Sequence, residues 1–226
     1  MRTIALLVAA AALLLAGCGT DPGTTAADPV GRDRPAPPSQ VPEAPGEVAT
    51  RGVVTVLQEA RPEVCLGAVA ESWPPQCSGP PLLDWHWDQR QAGLDRPGGT
   101  VSPGGADAYE QAGPVRWGQY VLTGTWDGTA LTVLTAIPAA LYDAPSAEPV
   151  DPPATSGTDS DGSPRLARIA REAGEELPGV LASYVAGDHV AVDVVYDDGS
   201  LQDWADTAYG EGVVVVTPAL VDVAAD

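Results

Sequence analysis

Asp84-Trp85-His86-Trp87-Asp88 is the stretch of this 226-residue chain whose side-chain spacing comes closest to chemistry. On a strand, alternation sets Asp84, His86 and Asp88 on one face and Trp85 and Trp87 on the other. Two carboxylates and an imidazole make a donor set for a divalent first-row ion. No second histidine is nearby, so a solvent-facing polar side opposite two packed tryptophans is the simpler expectation. Asp197 and Asp198 have the residue type for paired-carboxylate hydrolysis. They stand, however, in the turn Asp197-Asp198-Gly199 before a helix start, where carboxylates serve the turn and the helix N-terminus. Asp159-Ser160-Asp161-Gly162 echoes a calcium loop, but Gly157 falls at its first ligand position and Arg168 at its twelfth, where a glutamate is needed. The two histidines, His86 and His189, lie in different segments. The chain has no Gly-x-Ser-x-Gly elbow, phosphate-binding glycine loop or His-Glu-x-x-His. No catalytic residue and no cofactor follow from these patterns.

Trp73, Trp85, Trp87, Trp117 and Trp126 all fall within one segment. Indole faces stack on sugars, which makes Trp85, Trp87 and Trp117 the candidate ligand-binding residues. The chain has no phenylalanine, so tryptophan and tyrosine must also serve as core.

At the N-terminus, Met1-Arg2-Thr3 precedes an unbroken apolar run from Ile4 to Ala16, then Gly17-Cys18. One cation, a short apolar stretch and small residues form a secretory signal too short to span a bilayer. Leu15-Ala16-Gly17-Cys18 resembles the lipobox of bacterial lipoproteins. That resemblance implies a diacylglyceryl group on Cys18, cleavage between Gly17 and Cys18, and attachment to the outer face of the cytoplasmic membrane. Two or more acyl chains hold a protein stably at a bilayer, at about 0.8 kcal/mol per buried methylene.

With Arg2 removed, 10 of the 11 cations remain against 31 carboxylates, a formal charge of −21. So acidic a body is repelled by phosphate backbones, which argues against nucleic acid as a partner. The cations are all arginine, and lysine, asparagine and phenylalanine are absent. Their codons are A/T-rich, so the composition points to a high-G+C genome. Cys65 and Cys77 are the two remaining cysteines. Outside the cytoplasm, and without C-x-x-C spacing, they are expected to form a structural disulfide.

These elements imply five segments. Residues 1–17 are the signal peptide. Residues 18–50, rich in Pro, Ala, Gly and Thr without apolar periodicity, are expected to be a disordered tether. Residues 51–142 read as β: runs at Gly52–Leu57, Val64–Val69 and Leu82–Trp87, a glycine-rich loop from Gln89 to Pro114, and a hairpin from Tyr120 to Ile137 about Asp127-Gly128. Pairing Trp126 with Thr129 sets Tyr120, Leu122, Leu131 and Val133 on one face and Thr123, Thr125 and Thr132 on the other. Gly124 in mid-strand predicts a bend or bulge. Five strands with a long penultimate hairpin predict a small OB-like Greek-key β-barrel, with a small sandwich as the alternative. Residues 143–162 read as a linker.

Residues 163–226 predict an α-β-β-α-β module, giving a fold class of mainly β plus α+β. The first helix starts at Ser163-Pro164, with Leu166, Ile169, Ala170 and Ala173 on one face and Gly174 at its end. Strands follow at Val180–Val185 and His189–Tyr196. Ser200 caps a helix to about Tyr209, and Val213–Val216, wholly apolar, reads as a central strand. At about 64 residues the module is near the lower size for independent stability.

The stretches Pro62–Gly67, Pro74–Pro81, Trp117–Gly128 and Val194–Trp204, with Tyr209-Gly210, resemble those of uncharacterised actinobacterial lipoproteins. The resemblance covers both modules and implies an envelope address without a mechanism. The expectation is a non-catalytic binding or interaction module of the cell envelope, with a wall polysaccharide or another exported protein as partner. An extracytoplasmic hydrolase using Asp carboxylates and a metal-binding envelope protein are the alternatives.

Overall fold

The computed structural model describes residues 34–87, 109–143 and 164–224. The signal peptide, Cys18, Asp88, the linker over 144–162 and most of the loop expected at Gln89–Pro114 lie outside the described residues.

The first sheet is built around one long strand. Its strands are β1 (Glu47–Thr50), β2 (Val54–Gln58), β3 (Pro62–Cys65), β4 (Leu82–Leu83), β5 (Glu110–Ala112), β6 (Val115–Trp126) and β7 (Leu131–Pro138). β6 carries β5 and β7 along one edge and β2 and β1 along the other, all antiparallel. β3 pairs with β2, β4 lies parallel to β7, and a bridge from Glu63 to Pro81 joins β3 to the approach to β4. The result is a curled antiparallel half-barrel. Alternation along β6 and β7 turns Tyr120, Leu122, Trp126, Leu131 and Val133 inward. There they meet Val48, Val56, Val64, Leu82, Trp85 and Trp87 in one core.

The hairpin differs from expectation in an instructive way. Trp126 pairs with Leu131 rather than Thr129, so the loop is four residues long. Asp127 causes the widening. Its Oδ1 accepts the amides of Thr129 and Ala130 and the Thr129 hydroxyl, which holds the Asp127 carboxyl below its usual pKa range. A slip of two residues preserves side-chain parity, so the expected faces survive. The register shift between Thr123 and Gly124 is the expected bulge. Other expectations need correction. The strand at Leu82–Trp87 stops at Leu83, because Asp84 takes a left-handed φ of 56°. β5 occupies part of the stretch read as loop.

The second unit comprises α1 (Pro164–Glu176), β8 (Val180–Ala186), β9 (His189–Val194), α2 (Ser200–Tyr209), β10 (Val214–Pro218) and β11 (Leu220–Asp222). Its sheet runs β10-β9-β8, with β9 and β10 parallel across α2. β10 is therefore an edge, not the central strand its apolar run suggested; α2 covers one of its faces and Val215 stays 39% exposed. α1 continues past Gly174, whose missing side chain lets the helix approach Ser183; a Cβ there would lie 3.2 Å from that residue's own. The helix face is as expected, with Ile169, Ala170 and Ala173 buried. The cap of α2 is not Ser200. Asp197 accepts the amides of Gly199, Leu201 and Gln202, and Asp198 accepts that of Ser200.

The two units are not independent. β11 leaves the second and pairs with β1 of the first. Val195, Tyr196 and Leu220 complete the half-barrel core. The stretch expected as tether is ordered over its last part. Residues 34–46 form a strap that ends in β1, with Val41 against the half-barrel core. The Trp126 indole N–H donates to the Pro42 carbonyl at 2.9 Å, and that of Trp204 to Pro35 at 3.2 Å. Proline-rich chain loses little entropy on ordering, so a few such bonds suffice to dock it.

Candidate functional site

An open concavity with chemistry in its lining lies on the outer face of the half-barrel. Cross-strand pairing lays out its floor. Thr55 of β2 stands opposite Gln119 of β6, while Leu57, Trp117 and Glu110 share a row across β2, β6 and β5. The disulfide between Cys65 and Cys77, with Cα atoms 5.8 Å apart, folds the intervening loop over this face. Leu57, Cys65 and Trp117 pack beneath the loop as a small second core. Trp73 and Pro75 of the loop form one wall, and Pro138–Ala140, where β7 enters a 3-10 turn, forms the other. The groove encloses about 620 Å³.

Trp73 and Trp117 meet edge to face, with ring centroids 4.9 Å apart. Trp117 is buried, whereas Trp73 is 72% exposed. A large apolar ring left in solvent and braced by a second ring has the geometry of a stacking platform. Around it stand a hydroxyl at Thr55, an amide at Gln119 and a carboxylate at Glu110, hydrogen-bonding groups over an apolar base.

The structure separates the three expected ligand-binding tryptophans. Trp117 lines the groove. Trp85 and Trp87 are buried in the half-barrel core, edge to face at 5.1 Å, and Trp85 also meets Tyr120 edge to face at 5.0 Å. Trp73 takes their place at the groove. Its only sequence signal was an indole in the proline-rich loop between two cysteines, where no strand neighbour could cover it.

Asp84 and His86 are exposed and alternate with the buried tryptophans, as expected; Asp88 lies outside the described residues. Among the described residues, no three His, Cys, Asp or Glu side chains gather closely enough to hold a metal ion. Asp197 and Asp198 are engaged at the α2 N-terminus, and the Ser200 contacts hold the Asp198 carboxyl below its usual pKa range. The His189 Nδ1 lies 3.2 Å from an oxygen of its neighbour Asp188. Among the described residues, no helix is long and apolar enough to cross a membrane. No known protein family, curated protein or solved structure matches the chain.

Proposed function

We propose that the chain is a lipid-anchored envelope protein that binds a wall saccharide non-catalytically, with the groove between Trp73 and Trp117 as its site. The observation carrying this reading is the exposed Trp73 ring, held by a disulfide loop beside hydrogen-bonding groups on a rigid sheet. The anchor rests on the lipobox-like Leu15–Cys18, and the fastening of Cys65 to Cys77 suits an oxidising compartment. The pairings also support an OB-type barrel. β2, β3 and β4 follow one another round the curl, and β6 returns beside β2. The order β6-β2-β3, the bridge from Glu63 to Pro81 at the approach to β4, and the pairing of β7 with both β4 and β6 support a Greek-key reading of the half-barrel. OB-type barrels bind oligosaccharides on their faces and loops.

The test is titration of the full chain with peptidoglycan fragments and wall polysaccharides, followed by tryptophan fluorescence. Trp73→Ala should weaken binding at least about tenfold, the loss of one stacked ring, while the cooperative unfolding transition is retained. Saturable binding that is indifferent to Trp73→Ala would move the site elsewhere. Failure of every wall component to bind would remove the saccharide reading. Mass spectrometry of the membrane fraction tests the anchor separately, by the acyl mass on Cys18.

A further inference from the structure

Residues 34–38 of the strap read Arg-Pro-Ala-Pro-Pro. Prolines hold such a segment extended before it meets anything, with its carbonyls projecting outward. Helices α1 and α2 present a separate group to each feature of it. Glu172 and Glu176, four residues apart, share a face of α1. Trp204 and Tyr209 of α2 stand edge to face at 5.8 Å. The Arg34 guanidinium lies 4.2 Å from the Tyr209 ring centroid and 4.9 Å from that of Trp204. It pairs with Glu176, donates to the Tyr209 hydroxyl, and lies 3.9 Å from Glu172. The next residue is read through its backbone, by the Trp204 indole N–H on the Pro35 carbonyl at 3.2 Å.

A strap needing only attachment could use apolar contacts, as it does at Val41. Here a cation is enclosed instead. The Arg34 side chain is 18% exposed, against 69% for Arg61 and 35% for Arg168. Aromatic faces, carboxylates and an indole donor aimed at a carbonyl are the means by which extended proline-rich ligands are recognised.

We propose that the joint face of α1 and α2 is a recognition site for an arginine–proline segment, occupied in cis by residues 34–38. Because the ligand is covalently linked, its effective concentration is on the order of millimolar. A free peptide of the same chemistry is excluded while Arg34 is docked and enters once it is gone. The site selects arginine over lysine, since an ammonium cannot lie flat between two rings and two carboxylates.

The test uses the full chain and the peptide acetyl-Arg-Pro-Ala-Pro-Pro-amide, with the Trp204 indole N–H resonance as reporter. Arg34→Ala should bind the peptide saturably, and at least about tenfold more tightly than the unaltered chain does. A lysine-for-arginine peptide should bind at least about tenfold more weakly. No binding to a folded Arg34→Ala chain overturns the proposal, as does equal binding to both chains. Should Arg34→Ala fail to fold, Arg34→Lys keeps the charge, loses the planar stacking, and is judged by the same criteria. The unaltered chain should be monomeric. A dimer abolished by Arg34→Ala would place the segment in a neighbouring copy and overturn occupancy in cis.

Discussion

Tyr196 shows how one hydroxyl joins parts far apart in the chain. Its ring is 1% exposed within the half-barrel core, and its hydroxyl donates to Asp222 of β11 at 2.9 Å. Burial, then the Asp222 bond and the nearby carboxylates, push its pKa up to about 12. Tyr209 is also pushed up to about 12, by burial first, with Arg34 pulling it down and Glu176 pushing it up. A phenol whose folded pKa exceeds its unfolded value of about 10 favours the folded state fully below pH 10. That contribution disappears as pH climbs through 12. Stability measured by urea unfolding should therefore fall between about pH 10 and 12. Tyr196→Phe should lower it by about 1 kcal/mol at neutral pH, the net value of one hydrogen bond, and make the alkaline fall shallower. An unchanged alkaline slope would show that Tyr196 does not titrate in that range. At this scale the sequence was readable where neighbours decide the outcome. The polar–indole–polar–indole order of Asp84–Trp87 separated Asp84 and His86 from Trp85 and Trp87 even though the strand stops at Leu83, and the turn chemistry of Asp197 and Asp198 was plain. Trp73 was not singled out, because its exposure depends on how the disulfide loop sits on the sheet, which no local pattern encodes.

Single elements depend on contacts that periodicity reveals only in part. The hairpin of β6 and β7 kept its faces despite a two-residue slip, because parity is set by the apolar pattern while the loop is set by Asp127. Gly124 is where the two meet. A Cβ there would lie 2.2 Å from the Thr132 carbonyl oxygen, on the partner strand beside the bulge. Backbone cannot yield as a flexible side chain can. Gly124→Ala should therefore cost about 3 kcal/mol by overpacking, read as a lowered denaturation midpoint, and a loss under about 0.5 kcal/mol would show that the bulge can relax. The same reasoning explains why Gly174 was misread as a helix stop. A glycine inside a helix looks like a terminus until the strand packed against it is known, and here that strand supplies Ser183. The α2 cap was misassigned for a related reason. Ser200 has the right type and spacing, but Asp197 reaches three amides first.

At the scale of the whole molecule, the sequence order conceals the architecture. The chain reads as a tether, a β unit, a linker and an α+β unit, and nothing local in Leu220–Asp222 names β1 as its partner. An edge strand's partner is a long-range property, and neither composition nor periodicity encodes it. Yet this pairing decides how the protein unfolds. Leu220 is fully buried in the half-barrel core, and its amide donates to the Val195 carbonyl of the second unit at 2.9 Å. The strap adds a second tie, bonding to Trp204 of one unit and Trp126 of the other. With a shared core and two crossings, the second unit has no separate folded state to retreat to, as its small size already suggested. Unfolding should be a single cooperative transition, with tryptophan fluorescence and far-ultraviolet dichroism coincident. Leu220→Ala should lower that one transition by about 3 kcal/mol, the usual cost of a cavity at a closed site. If the α+β signal survived while the tryptophan signal was lost, the units would be autonomous. Coincident shifts would instead mean that Leu220, near the chain's end, stabilises the same folding unit that displays Trp73 at the groove.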